Sequence, residues 1–499
     1  MTFLSFAISV LSACSNPSLE TTPAQSDVTG LGETSGVCSA SPKALNTQRL
    51  SVKGTSFRDE WGRHVILRGV NTGGRSKFAP FFPFPFAESG LANQEGAVPF
   101  SEAVAEYLDR VVDWGHNIIR VPFSWEGLEP VRGVYDDVYL ERYLAFIDAA
   151  AARELRVVVD FHQDVFAAPY CGDGFPLWAC PEPLPAVPED CSGWFMGYLE
   201  QASPIHEAYG RFWRNEDGLM DAFKAMWKHM ATAASTRDNV IGFEIINEPH
   251  HGTQDEDAWA TTELPTFYEE LSAEIRSVAP DALIFFDSTG LDAATQETLM
   301  ERPEGSEFIF APHYYLMSIY TGGELDMEEV PKGLARWRSK GVEWNLPILV
   351  GEFGIYRDLP EAREYFRVIM DSLDTELLSG TAWEFSTTVD DWNDEGMSLV
   401  HPTGDESDGL QALIRPYPAA VAGEIESFHF DSETREANLI FDAEAGGLTE
   451  VVLPQRLYTA GVAIVIDSDD ACYEHREDDS RLFIRVRNEG RVQVSLKPQ

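Results

Sequence analysis

Positive charge is scarce in this chain: 37 lysines and arginines stand against 82 aspartates and glutamates over 499 residues, a formal net charge of −45. Phosphate backbones need a basic footprint, so this balance argues against a nucleic-acid partner. The acidic residues are spread along the chain rather than gathered into a tail, which reads as a solvated, self-repelling surface suited to saline surroundings. Long apolar runs are missing as well, and no segment is long and apolar enough to cross a bilayer. The six cysteines lack histidine partners at metal-site intervals, so no metal is expected. No cofactor is suggested either. A doubly wound nucleotide-binding sheet would carry a Gly-rich loop after its first strand, and Asn71-Thr-Gly-Gly-Arg75 is a weak match.

What is present begins with a short apolar stretch, MTFLSFAISVLSA, followed by Cys14. It is too short to anchor in a bilayer and has the character of the hydrophobic part of a secretory signal. Leu11-Ser12-Ala13-Cys14 resembles a bacterial lipobox, which implies an exported protein, secreted or membrane-anchored through a lipidated Cys14. Residues 15–45 are rich in Ser, Thr, Pro and Gly without periodicity, and are expected to be a disordered tether. Export favours disulfides among the other five cysteines. Cys171, Cys180 and Cys191 lie close enough in sequence for one local bridge, with the pairing open. Cys38 and Cys472 are a candidate staple between the chain ends.

From residue 64 onward, short apolar runs alternate with helical patterns, the signature of βα units. Strands are predicted at 64–71, 117–124, 156–161, 240–246, 282–287, 307–312, 347–352 and 380–385. Helical patterns occupy 101–113, 138–153, 217–235, 264–278 and 360–378, among others. Eight such units close into a (β/α)8 TIM barrel in preference to an open sheet. The barrel is assigned to 46–415. After Pro416 the helical period stops, and short alternating segments at 425–430, 437–441, 450–453, 461–466, 481–486 and 491–496 predict a small antiparallel β-sandwich over 416–499.

Two interruptions fall on the face where barrel enzymes carry their sites. Residues 165–205 form a Pro-, Gly- and Cys-containing insertion after the third strand. Residues 78–86, Phe-Ala-Pro-Phe-Phe-Pro-Phe-Pro-Phe, follow the first, and their prolines forbid a helix. The phenylalanines either pack under the barrel rim or form an apolar wall for a lipid tail, a lip in contact with membrane.

Two acidic motifs, Ile241-Gly-Phe-Glu-Ile-Ile-Asn247-Glu248-Pro249 and Pro347-Ile-Leu-Val-Gly-Glu352-Phe-Gly354, each close an apolar run, their glutamates 104 residues apart. Consecutive apolar residues mark strands buried on both faces. Each therefore delivers a glutamate at the end of a buried parallel strand. Cleavage of a glycosidic bond with retention needs such a pair about 5 Å apart, one protonated and one ionised. Asn247, beside Glu248, is placed to bind a sugar hydroxyl.

The ordered pair Asn247-Glu248-Pro249 and Gly351-Glu352-Phe353-Gly354 resembles glycoside hydrolase family 5, whose members are retaining (β/α)8 enzymes. The resemblance implies that Glu248 is the acid/base and Glu352 the nucleophile. It implies that Arg120 holds the nucleophile, that His313 and Tyr315 lie on the sixth strand with the tyrosine near the nucleophile, and that Trp383 stacks on the reacting sugar. Asn71-Thr-Gly-Gly-Arg-Ser-Lys77, Asp160-Phe-His-Gln-Asp164-Val and Pro416-Tyr-Pro-Ala-Ala-Val-Ala-Gly423 are similar to segments of the endoglycoceramidase subgroup. That narrower resemblance spans about residues 50–498 and implies a glycosphingolipid substrate, with Lys77, His162 and Asp164 contacting the sugar nearest ceramide. Alternatives are an exo-acting glucosyl- or galactosylceramidase, a cellulase-like endo-β-glucanase, or a non-catalytic glycan-binding surface protein.

Overall fold

The computed structural model of the protein describes residues 36–38, 49–90, 97–191, 193–200, 203–388, 395–478 and 480–499. The apolar segment 1–14 with Cys14, and the tether 15–45 apart from 36–38, lie outside the described residues.

Each apolar run becomes a parallel strand: β1 (Arg68–Asn71), β2 (Ile118–Phe123), β3 (Arg156–Phe161), β4 (Val240–Glu244), β5 (Leu283–Phe286), β6 (Phe308–Phe310), β7 (Leu349–Val350) and β8 (Ser379–Ala382). Their order is β6-β5-β4-β3-β2-β1-β8-β7. Parallel bridges from Phe310 to Ile348 and from Tyr314 to Phe353 join the two ends, so the sheet closes into a barrel. The predicted helices surround it at Phe100–Asp113, Asp137–Ala151, Leu219–Ala234, Leu264–Arg276 and Ala362–Thr375, with a further one at Glu329–Trp344.

Side chains of a strand alternate between its faces, so inward residues recur every second position. Ile118, Val158, Ile241, Leu283, Ile309 and Leu349 share one apolar cluster with Phe57 and Val65. Two positions further along β2 and β3 stand Arg120 and Asp160, both fully buried. The barrel interior is thus apolar towards its floor and charged towards the strand C-termini. That gradient positions the site.

One predicted strand is corrected. The run 64–71 is two strands: His64–Val65 pairs antiparallel with Tyr417–Val421, whereas Arg68–Asn71 is β1. The division falls between Ile66, which packs into the core of the C-terminal sandwich, and Leu67, which packs into the barrel. Strands Leu50–Lys53 and Ser56–Asp59 join the same sheet as His64–Val65, so the start of the expected barrel segment belongs structurally with the C-terminal sandwich. The sandwich pairs this eight-stranded sheet with a four-stranded one made of Gly423–Phe430, Ala437–Ala443, Gly490–Pro498 and Val462–Ile466. All six segments predicted there are strands; Tyr417–Val421 and Ala471–Arg476 are additional. Gly36–Val37 lies parallel to Ala471–Arg476, and Cys38 is bonded to Cys472. Cys171 is bonded to Cys191, leaving Cys180 as a buried thiol.

The loop 78–86 decides between its two readings. Phe82, Phe84 and Phe86 are buried. The Phe84 ring packs against Phe82, Phe86, Phe100, Tyr107 and Phe146, with ring centres 5.2–6.3 Å apart. The aromatic wall turned towards a membrane or lipid tail is therefore not formed by these three; helices Phe100–Asp113 and Asp137–Ala151 supply aromatic partners that remove the rings from solvent. Phe84→Ala is accordingly expected to lower the unfolding free energy by about 3–5 kcal/mol, as for a core phenylalanine. Urea denaturation checks this, and a loss under about 1 kcal/mol is the outcome a surface lip would give.

Candidate active site

The site is built around Arg120 on β2. Its Nε and Nη2 donate to the two oxygens of Glu244 at 2.8 Å each, Nη1 to Asn71 Oδ1 at 2.9 Å and to Glu352 Oε1 at 2.7 Å, and Nη2 to Asn247 Oδ1 at 2.9 Å. A guanidinium has five N–H groups, and these bonds use all of them. Asp160 Oδ2 lies a further 3.1 Å from Nη2. Residues from β1 to β4 and from the end of β7 are thereby tied to one cation.

Glu352 follows β7 and carries two donors, Arg120 on Oε1 and the Tyr315 hydroxyl on Oε2 at 2.9 Å. Its carboxylate is fixed in orientation and its charge is matched. Gly351 keeps the packing beside it close: a Cβ there would lie 3.1 Å from Ala311 O and from the His313 ring.

Glu248 is held differently. Its backbone has φ +39°, a left-handed conformation unusual for a residue with a side chain. The turn is retained because Glu248 N–H donates to Asp287 Oδ2 at 3.1 Å and Gln163 Nε2 donates to the Asn247 and Glu248 carbonyls at 2.6 and 3.1 Å. Its Oε1 lies 2.8 Å from His313 Nδ1. Burial and the nearby Asp164 charge push the carboxyl up to about 8. Gly290 makes room for it, since a Cβ at 290 would lie 2.5 Å from Glu248 Oε2. Single oxygens of Glu248 and Glu352 lie within 4.8 Å of each other and of a His313 nitrogen. That spacing suits a nucleophile and an acid acting across one bond, whereas an inverting pair needs about 6.5–9.5 Å to admit a water.

The remaining predicted residues gather on one side of the pair. His162 Nδ1 lies 2.9 Å from Asp160 Oδ2 and its Nε2 3.5 Å from Asp164. Burial opposes its charge, but the bonds to Asp160 and Asp164 prevail and raise it to about 10. Lys77 Nζ is 2.5 Å from Asp164 and 3.7 Å from Glu395. It sits 4.6 Å over the Trp383 ring, which also stacks on His162 with centres 5.1 Å apart. Asn247 differs from its expected use. Its Oδ1 accepts from Arg120 and its Nδ2 donates to Gln163 O at 3.0 Å, so one amide N–H remains for a ligand. His313 is buried and pushed down to about 4, chiefly by desolvation, and so is a neutral ring.

Sequence reasoning passed over Glu244, Asp287, Asp173 and Glu395. Asp287 had the same signal as the two glutamates, a carboxyl closing an apolar strand, and Glu244 is the charge that interrupts the apolar run of the first motif. Asp173, which sits in the insertion, pairs through its backbone with Asp164.

Among the described residues, three clusters have ligand atoms near enough for a cation: His162 with Asp164 and Asp173, Glu244 with Asp287 and His313, and Glu248 with His313 and Glu352. In the first the Lys77 ammonium already neutralises Asp164, in the second Arg120 takes both Glu244 oxygens, and in the third Arg120 and Tyr315 occupy Glu352. These donors are better matched to organic cations and hydroxyls than to a chelated ion.

Comparison with known proteins agrees with this geometry. The chain is 25% identical over 448 residues to endoglycoceramidase I of Rhodococcus hoagii, covering 84% of this chain and 82% of that protein. It is 28% identical over 420 residues to an endoglycoceramidase of Cyanea nozakii, covering 77% and 79%. The solved structure of endo-glycoceramidase II from Rhodococcus sp. with ganglioside GM3 superposes with a TM-score of 0.72 at 24% identity, over 90% of this chain and all of that one. The same Rhodococcus protein has been solved as a lactosyl-enzyme intermediate. The model of the family 5 C-terminal domain matches residues 415–497. The cellulase model of glycosyl hydrolase family 5 matches residues 84–388, well over half of the chain, and the protein belongs to that family.

Proposed function

We propose that this protein is a retaining endo-β-glycosidase that hydrolyses the bond between the glycan and the ceramide of glycosphingolipids, releasing the intact oligosaccharide and ceramide. The observation that carries the chemistry is the Glu248–Glu352 pair, within 4.8 Å and set in opposite surroundings. The substrate follows from the two endoglycoceramidase relatives, which align along about four-fifths of their own length.

In this reading a Glu352 oxygen attacks the anomeric carbon while Arg120 and Tyr315 hold it in line. The bond from that carbon to the ceramide oxygen breaks, and that oxygen takes the proton of Glu248. Ceramide leaves and a glycosyl ester remains on Glu352. Glu248, now a carboxylate, removes a proton from water whose oxygen attacks the same carbon, and Glu352 is released. Lys77, Asp164 and His162 hold the hydroxyls of the reacting sugar, the remaining Asn247 N–H takes another, and Trp383 supplies an apolar face beneath the ring.

We further propose export, with anchoring through a lipidated Cys14. Two disulfides, Cys38–Cys472 and Cys171–Cys191, suit an oxidising compartment. With Phe82, Phe84 and Phe86 buried, attachment to a membrane rests on Cys14 rather than on loop 78–86.

Purified protein incubated separately with a ganglioside, lactosylceramide, glucosylceramide and carboxymethylcellulose is expected to release whole oligosaccharides from the first two. Mass spectrometry reads the products, and activity confined to the cellulose derivative would sink the glycolipid reading. Glu352→Ser is expected to reduce release by at least about a thousandfold, given the loss of the covalent step. Unchanged turnover would show that the nucleophile lies elsewhere.

The first step needs protonated Glu248, which is present below about pH 8 and lost as pH rises through it. The basic limb of kcat/KM is therefore expected to fall with a midpoint near 8, and to vanish in Glu248→Gln. A limb that persists in that variant assigns the proton to another group.

A further inference from the structure

Asp287, at the end of β5, is absent from the chemistry above yet touches the proton donor by two routes. Its Oδ2 accepts the N–H of Glu248 at 3.1 Å, within the left-handed turn at that residue. The same oxygen lies 3.3 Å from His313 Nε2, and His313 Nδ1 lies 2.8 Å from Glu248 Oε1. Main chain, aspartate, imidazole and side-chain carboxyl thus form a ring of contacts that begins and ends on Glu248. Asp287 is itself fixed, because Ser288 N–H donates to Oδ1 at 2.7 Å and the Tyr268 hydroxyl donates to the Asp287 carbonyl at 2.7 Å. It is 1% exposed.

From this geometry, and resting on the glycosidase reading of Glu248, we propose that Asp287 is a positioning residue for the proton donor: it clamps the strained Glu248 main chain and, through His313, sets the oxygen that Glu248 presents to the leaving group. Both oxygens of Asp287 face backbone N–H groups while one also faces an imidazole nitrogen. A carboxyl satisfies that arrangement; a carboxamide has a single oxygen and must turn an N–H towards one of the two backbone donors. Burial and the neighbouring Glu244 and Glu248 hold the Asp287 carboxyl well above the usual carboxylate range. Asp287→Asn therefore loosens Glu248 while leaving Arg120 and Tyr315, the donors to Glu352, in place.

The consequence separates by leaving group. Ceramide is a poor leaving group and needs the proton of Glu248; a dinitrophenolate leaves without it. For Asp287→Asn, kcat/KM on lactosylceramide is expected to fall by about 100-fold, the size of a misplaced general acid. On 2,4-dinitrophenyl β-lactoside the fall is expected to be no more than about fivefold. Equal losses on the two substrates would overturn the proposal, since a purely structural defect weakens both alike. The aryl lactoside also reports the fraction of folded enzyme. If Asp287→Asn does not fold, Asp287→Ser, which is smaller and removes the carboxyl, gives the same comparison. A wild-type enzyme that cleaves alkyl and aryl lactosides but no glycolipid would refute the ceramide reading alone. The split between alkyl and aryl lactoside then still decides the role of Asp287.

Discussion

The Arg120 guanidinium at the centre of the barrel is the interaction on which the rest of the site depends. A buried cation costs several kcal/mol of lost hydration unless every N–H finds a partner. Here every N–H does, on Asn71, Glu244, Asn247 and Glu352. The bonds do more than neutralise charge. Arg120 fixes the register between the end of β7, which brings Glu352, and the end of β4, which brings Asn247 and then Glu248. Because Arg120 is planar and its donors point in set directions, the carboxylates around it have little freedom to drift. The few-ångström spacing of Glu248 and Glu352 is in large part a property of this residue's shape.

Strands buried on both faces are written in the sequence as apolar runs, which is why all eight barrel strands could be read from it. A carboxyl at the end of such a run must face either the barrel mouth or a partner, so Glu248 and Glu352 were legible too. What a linear pattern does not contain is direction. Glu244 and Glu248 lie four residues apart in one motif, yet Glu244 grips Arg120 while Glu248 is turned towards the mouth by a left-handed backbone. Only tertiary contacts, above all those of Gln163 and Asp287, hold that turn. The phenylalanine loop was left with two readings for the same reason. Its prolines forbid a helix, but its burial depends on Phe100, Tyr107 and Phe146, which are supplied by helices further along the chain.

The start of the barrel segment was misplaced in sequence for a topological reason. A run of eight apolar-rich residues reads as one strand whether or not its two halves belong to different sheets. His64–Val65 and Arg68–Asn71 do so, and Ile66 and Leu67 mark the crossing from one core to the other. As a result Phe57 and Val65, carried by strands of the sandwich sheet, pack into the barrel's lower cluster. The sandwich is therefore the floor of the barrel rather than an appendage, and the Cys38–Cys472 bond ties the N-terminal approach to the same sheet. A packed floor limits how far β2, β3 and β7 can move, which in turn keeps Arg120, Asp160 and Glu352 in place above it.

The balance of charge explains why the donor keeps its proton. Around Arg120 stand Asp160, Glu244 and Glu352, with Glu248 and Asp287 just beyond, while His313 is neutral. Five carboxyls crowd a medium that screens charge poorly, and the Arg120 guanidinium and the His162 imidazolium beside Asp160 face them as cations. Protons must remain, and burial together with neighbouring carboxylates settles where they remain. Glu244 is pushed up to about 7, Glu248 to about 8 and Asp287 well above the usual range. Glu352 is the carboxyl with both Arg120 and Tyr315 on its oxygens. Of the groups that keep a proton, Glu248 alone is both at the mouth and within 4.8 Å of that nucleophile. The different surroundings of two chemically identical side chains thus follow from a barrel interior that holds more acid than base, with Arg120 bonded to Glu352 and not to Glu248.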